Sequence, residues 1–447
     1  MKKIFLFIPN YVYVTDILRS NFLHILSKDF KVLVYLPTLD YVDRLPIYPN
    51  VEYRQWNLSS YRFWGYMKTL RLGMINAFDN LLSIQIHYIT SFKDWRRKIL
   101  RIISRKLPFR ITTHMFTTLE TLFLKMRKDF SDAVNKDKPS LILVCTPGFT
   151  DLEAEVIILA KKIKIKTAAI NFSWDNLTTN AKHLRATDYL IVWNNYIKDE
   201  AILYHQFKPD SVFVSGSMRF DVYFLNKDKI ITKEQFLKEK GLNTNLPLIT
   251  ITTTSHGVYP YHSDLIKMIL ELRGVNKVPY FSLLVRIHPK DDIKHYSAFI
   301  NTKDTRFELA GHVRKMTGDS RHKIEMENID IKNLYYTLKF SDLIINYSST
   351  ITLEALACGT PVINIAFPKE MARRHYEFSH YLPIVNSGAV PLAHSINELN
   401  TTISNYLLNR DINLEQRKEL VSSFFYKTDG ASSVRCAQIV ESILLEL

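Results

Sequence analysis

Residues 340–368 read FSDLIINYSSTITLEALACGTPVINIAFP, and this stretch decides the fold. Asp342 to Asn346 carries the short apolar run of a buried strand. Tyr347, Ser348, Ser349 and Thr350 form a hydroxylic loop, and a short helix follows it. Gly359 sits where a helix C-terminus favours a left-handed residue, and Pro361 forbids continuation. Val362 to Ala366 is a second apolar strand. Strand, hydroxyl-lined helix start and strand make a parallel βαβ unit. Free backbone N–H groups and three hydroxyls at the helix start suit a phosphate. Glu354, one turn further in, carries acceptors of the kind that hold ribose hydroxyls. A plain Ser/Thr-capped helix uses the same residues, so the segment alone leaves both readings open.

Outward from this unit, apolar runs alternate with helical patterns. They are Ile4–Ile8, Lys31–Leu36, Leu141–Cys145, Thr167–Asn171, Tyr189–Trp193 and Val212–Ser215, then Leu248–Thr253 and Phe281–Ile287. Continuous apolar strands separated by helices imply parallel sheets covered on both faces. A helix is expected over DLEAEVIILAKKIK, with Asp151 and Glu153 early and lysines late, as the helix dipole prefers. Residues 55–135 break the rhythm with an aromatic, basic, mainly helical insertion. At 447 residues the chain calls for two domains, since single cores stop growing near ~250–300 residues. The expected division is 1–220, 221–425 and a closing segment 426–447, with the boundary near GSMRFD (Gly216 to Asp221).

The formal net charge is +15. Its densest source is KDWRRKILRIISRKLPFR, Lys93 to Arg110, with eight basic residues and one acid. Trp95, Ile99, Ile102 and Ile103 recur between the charges at near-helical spacing. Such a helix fits an anionic membrane surface, met through Arg96, Arg97, Arg101 and Arg105. It equally fits a solvated helix with one face in the core. No nucleic-acid-binding signature accompanies the basic pI, so nucleic acid is not an expected partner. Three distant cysteines, Cys145, Cys358 and Cys436, suit buried thiols in a reducing cytoplasm. No stretch approaches the ~18–20 apolar residues that span a bilayer. A cytoplasmic protein, peripheral at most on the inner membrane face, is the expectation.

Four segments carry a family resemblance. They are LLVRIHPKDD with His288-Pro289, NYSSTITLEALACGTPV with Ser348-Ser349, FSWDNLTTNAKHLRATDYLIVWN, and the tail FFYKTDGASSVR. Together they make the chain resemble a GT-B glycosyltransferase of bacterial surface-polysaccharide synthesis. More narrowly, it resembles the branch of CDP-glycerol glycerophosphotransferases and capsule transferases with "HP" and "SS" motifs. The resemblance implies two Rossmann-like parallel-sheet domains facing across a cleft. The N-terminal one would serve the acceptor and the C-terminal one the nucleotide donor. It also suggests that the last helix, Ser432–Glu446, crosses back onto the first domain.

In open α/β sheets, ligands bind beyond the carboxyl ends of strands. On the donor side, Ser255 and His256 follow one strand and can cradle a diphosphate with the flexible Gly257. Arg286, His288 and Lys290 surround the end of another and supply positive charge. Ser348, Ser349 and Thr350 complete the anion site, and Glu354 lies near the ribose. The GHVRK segment from Gly311 and a strand end near Glu325–Met326 would bracket the base. For the acceptor side, two acids follow strand ends, Asp151 and Asp175. Either would serve as the base that deprotonates an acceptor hydroxyl, since aspartates ionise well below neutral pH. Against this, Asp151 has the position of a helix N-cap and Asp175 that of an Asx-turn. The histidines lack metal-ligand spacing, so no metal or other cofactor is expected.

The function expected from residues and resemblance together is transfer of a sugar from a nucleotide-activated donor. The acceptor would be a cell-surface polysaccharide or lipid-linked glycan. The alternative is a CDP-polyol phosphotransferase moving glycerol- or ribitol-phosphate into a teichoic-acid-like polymer. Below these stand a UDP-sugar 2-epimerase and a non-catalytic adaptor for membrane or RNA.

Overall fold

The computed structural model describes residues 1–447 except 11–12, 41, 58–62, 76–80, 91–94, 109–110, 180–183, 226–230, 275–277, 314–323 and 326–327. Two parallel sheets organise the chain. The first contains β1 (Lys3–Phe7), β2 (Lys31–Leu36), β3 (Val51–Gln55), β4 (Leu141–Val144), β5 (Thr167–Ile170), β6 (Tyr189–Val192) and β7 (Val212–Val214). Their spatial order is β3-β2-β1-β4-β5-β6-β7. The second contains β8 (Leu248–Thr252), β9 (Ser282–Ile287) and β10 (Thr305–Leu309). A two-residue antiparallel ribbon follows, β11 (His312–Val313) with β12 (Ile324–Glu325). The second sheet then adds β13 (Leu343–Asn346), β14 (Val362–Ile365) and β15 (Leu392–Ala393), in the order β10-β9-β8-β13-β14-β15. Neighbours within both sheets pair in parallel. The architecture is that of two doubly wound α/β domains.

The apolar runs become the central strands, trimmed by about a residue at their ends. β3, β10 and β15 were not expected, for one physical reason. They lie at sheet edges, β3 and β10 are partly exposed, and an edge strand needs no continuous apolar run. Chain order reverses between β1 and β4, and again between β8 and β13. At such a reversal the flanking helices depart to opposite faces and leave a crevice beyond the strand ends.

The region between β3 and β4 is helical, over Phe63–Met74, Leu82–Thr90, Trp95–Arg105, Thr113–Phe123 and Lys128–Asp137. A fully buried ion triad ties it down: Glu120 accepts from Arg71 Nη1 at 3.0 Å and Arg185 Nη2 at 2.8 Å. The last helix, Ser432–Glu446, buries Cys436, Ala437, Val440, Ile443 and Leu444 in one cluster with Ile4, Phe22 and Leu26 of the first sheet's unit. Asp221 caps this helix from a distance, accepting from the Ser432 and Ser433 amides at 2.8 Å each.

Candidate functional site

The Ser348–Thr350 loop leaves the carboxyl end of β13, at the reversal in the second sheet. Ser348 has φ 36°, a left-handed conformation that costs a non-glycine residue energy. Its surroundings hold it there. The Ser348 amide donates to the Tyr376 hydroxyl at 3.0 Å, and that hydroxyl donates to the Ile365 carbonyl at 2.9 Å. Ser349 Oγ donates to Asn346 Oδ1 at 3.0 Å and accepts from the Ile351 amide at 3.2 Å. Beneath the loop, Asn346, Thr352, Asn364 and Tyr381 form a buried hydrogen-bonded network. The following helix, Ile351–Ala357, has seven residues, and Thr350 stands at its N-cap without a side-chain cap bond. With so short a helix, the anion-binding capacity rests on loop hydroxyls and amides more than on a macrodipole. Gly359, at φ 74°, ends the helix as the sequence requires.

Opposite lies the loop after β5. Ser173 Oγ donates to Asp175 Oδ1 at 2.6 Å, and the Asp175 carbonyl accepts from the Thr179 amide at 2.8 Å. Trp174 packs edge-on against His380, with ring centroids 5.1 Å apart. The two loops line one cleft of about 470 Å³, together with Thr179, His375, Phe378, His380 and Tyr381. Asp175 from one sheet therefore faces the same space as Ser348, Ser349 and Thr350 from the other.

The electrostatics around Asp175 are unusual. His380 Nδ1 lies 3.2 Å from Thr178 Oγ1 and 3.3 Å from Thr179 Oγ1. Burial pushes His380 down to about 4, against the opposing pull of Asp175. Its imidazole is neutral at physiological pH and a weak base, suited to hold a hydroxyl by a hydrogen bond more than to take its proton. Glu200 lines a neighbouring cavity of about 690 Å³ with Tyr196, Tyr204 and Ser379. Burial, reinforced by the Asp175 charge, pushes Glu200 up to about 8.

The β8 and β9 candidates form a second group, outside the cleft lining. Register sets Thr252 beside both Arg286 and Asn346, so their following loops emerge at one level. The His288 amide donates to Thr253 Oγ1 at 2.9 Å. Its ring Nδ1 accepts from the Lys290 amide at 3.0 Å, which leaves the proton on Nε2. Burial and then Lys290 lower its pKa, so His288 is a neutral N–H donor instead of the expected cation. Arg286 does not supply the expected open charge either. It is 6% exposed and bound to Glu308 Oε1 at 2.6 Å, because β10 sets a carboxylate beside it. Lys290 and His256 are exposed, and Ser255 is half-buried. His256, Asp291 and His295 present ligand atoms within 4.8 Å of one another, the arrangement among the described residues that could hold a divalent cation. Both Asp291 oxygens already have partners, in His295 Nδ1, the Asp292 amide and the Tyr296 hydroxyl.

Two further residues sit differently from expectation. Glu354 is 1% exposed and held through Oε1 by Arg219 at 2.9 Å, so its carboxylate does not stand open beside the loop as expected. Asp151 is the first helical residue and not the N-cap: Thr150 caps, accepting from the Glu153 amide at 3.3 Å. Asp151 does not line the cleft. Arg96 and Arg105 are exposed, while the side chains of Arg97 and Arg101 lie outside the described residues. So do residues 314–315 of the GHVRK segment and Met326.

His375 and His380 escaped the sequence reading. They follow β14, whose carboxyl end lies beside that of β13 and its hydroxylic loop, and that position was the available signal.

No known protein family matches the sequence, and no curated protein does. Solved structures match over nearly the whole chain. A UDP-GlcNAc 2-epimerase from Neisseria meningitidis, bound to UDP-GlcNAc, is 16% identical with a TM-score of 0.53, covering 99% of this chain and 100% of that one. A glycosyltransferase from Rickettsia africae is 9% identical with a TM-score of 0.51, covering 99% and 98%. The wall teichoic acid polymerase TagF, soaked with CDPG, is 12% identical with a TM-score of 0.51, covering 99% and 88%. At these identities the likeness is one of fold: the protein has the GT-B fold.

Proposed function

We propose that this protein transfers a sugar from a nucleotide-activated donor to a hydroxyl of a surface glycan or lipid-linked glycan. The single observation behind this reading is the shared cleft, where Asp175 faces the Ser348–Thr350 loop. A transfer needs a base on the acceptor and hydrogen-bond donors where charge develops on the leaving phosphate. Asp175, oriented by Ser173, takes the acceptor proton. The loop hydroxyls, with the His288 Nε2–H beyond them, receive the diphosphate. Glu354 Oε2 is buried with no hydrogen-bond partner, Arg219 holding only Oε1, and is the oxygen offered to a ribose hydroxyl. The GT-B neighbours bound to UDP-GlcNAc or soaked with CDPG support a nucleotide-linked ligand.

The test combines binding and turnover. UDP, CDP and CMP are compared by thermal shift with EDTA present, since the proposed donors are protein groups and no metal or other cofactor is invoked. At least one nucleotide should stabilise the protein. Nucleotide sugars and CDP-glycerol are then incubated with extracted glycolipids. Asp175→Asn should keep the nucleotide shift and lose transfer by a factor of about 10²–10⁴. Polyol-phosphate transfer from CDP-glycerol would replace the sugar reading. Conversion of a UDP-sugar to its 2-epimer without acceptor, or no nucleotide shift at all, would overturn it.

A further inference from the structure

Two helices between β3 and β4 expose the same apolar pattern. In the helix Trp95–Arg105, the residues Trp95, Ile99, Ile102 and Ile103 are 47–64% exposed. In the helix Thr113–Phe123, the residues Met115, Leu119, Leu122 and Phe123 are 40–70% exposed. Both sets follow i, i+4, i+7, i+8, which is one continuous helix face. An ordinary amphipathic helix turns that face to the core. Here the opposite faces do the packing. Ser104 is buried, and a Cβ at Gly73 would collide with its hydroxyl. Thr113, Phe116, Thr117 and Glu120 are the buried side of the second helix. Among the described residues, the apolar stripes are left to solvent.

For the first stripe, charge says what covers it. On helical geometry Arg96 flanks one edge of the first stripe, and Lys98 and Arg105 flank the other. All three are exposed, as are Lys106 and Lys125, and Trp95–Arg105 contains no acid. Apolar residues between cations, with the aromatic Trp95 among them, match the interface of an anionic bilayer. The side chains enter the acyl boundary while long cationic stems keep their heads among phosphates. We propose that the helix Trp95–Arg105 docks the protein on an anionic lipid surface. No helix among the described residues is long and apolar enough to cross a membrane, so the contact is peripheral. This proposal does not depend on the transfer reading.

The test is co-flotation of the full chain with vesicles of phosphatidylcholine alone or mixed with phosphatidylglycerol. Wild type should float with the mixed vesicles and not with the neutral ones, and binding should weaken as salt rises. Replacing Trp95, Ile99, Ile102 and Ile103 together by Ser should lower partitioning about tenfold or more, as should Arg96, Lys98, Arg105 and Lys106 replaced by Gln. These side chains are exposed, so unchanged melting checks that the fold is intact. Failure of wild type to float overturns the proposal. So does retained flotation of both variants. Size-exclusion chromatography without lipid covers the remaining occupant: a wild-type dimer abolished by the Ser variant would assign the stripe to a second copy of the chain.

Discussion

Arg219 joins the two halves of the molecule through Glu354, its Nε 3.0 Å and Nη2 2.9 Å from one Glu354 oxygen. Arg219 comes from the segment after β7, Glu354 from the helix after β13. Asp16, after β1, is the third member: burial pushes its carboxyl up to about 6, with Arg219 opposing and Glu354 reinforcing the rise. Arg219→Met should strip Glu354 of its partner and lower stability by about 1–3 kcal/mol. Loss of one partner of a fully buried pair costs ~3–5 kcal/mol, but 35% of the Arg219 side chain is solvent-accessible and screened. Glu354→Gln should cost less, since a neutral amide needs no cation. Urea unfolding measures both, and a wild-type midpoint for Arg219→Met would show that the pair adds no net stability.

Glu200 gives a pH dependence with a definite sign. Its folded pKa, about 8, lies above that of an unfolded glutamate. The stability this contributes is therefore full below about pH 4 and is lost as pH rises toward about 8. Glu200→Gln removes the titration, so its stability relative to wild type should climb across that window and level off above it. Asp175→Asn should bring the upper edge of the window down, because the Asp175 charge is the second cause of the shift. Unfolding curves across pH 4–9 check this; parallel profiles for wild type and Glu200→Gln would refute it.

His288→Ala should weaken nucleotide binding about tenfold or more. A hydrogen bond to a charged phosphate is worth ~1.5–3 kcal/mol even from a neutral Nε2–H. The ring also anchors the Lys290 amide, so His288→Asn is the control that retains a side-chain acceptor. Calorimetric titration that finds equal affinity in folded His288→Ala places the donor elsewhere.

Tyr376→Phe removes one hydroxyl that serves both the Ser348 amide and the Ile365 carbonyl. Two backbone groups lose their partner, at a cost of about 1–3 kcal/mol. The left-handed Ser348 also loses what holds it. Nucleotide affinity should fall along with stability; a fall in stability alone would show that the Ser348 loop needs no anchor to bind.

The central strands and the Gly359 stop were legible from the sequence, as were helices among the described residues between β3 and β4. Buried parallel strands and left-handed helix ends leave local marks in apolar runs and glycine placement. Edge strands such as β3 carry no such mark. At the site, Asp175 and the Ser348–Thr350 loop were found as separate candidates because each follows an apolar strand. His375 and His380 were not, for nothing in RRHYEFSHY distinguishes a cleft histidine from a surface one. The charges of His288 and Arg286 were misread for a related reason. A proton's position depends on the Lys290 amide, and Arg286's availability depends on Glu308, which belongs to an edge strand.

The sequence by itself determined two parallel α/β sheets and the loops at their carboxyl ends, because strand burial and helix termination are local properties of the chain. Tertiary structure decided which loops meet. Asp175 and Ser348 are more than 170 residues apart, and only the facing of two sheets puts them in one cleft. It decided the fate of the basic helix as well. Periodicity shows that Trp95, Ile99, Ile102 and Ile103 share a face, but not whether that face meets the core. The packing of Ser104 on the other side settles that it meets solvent.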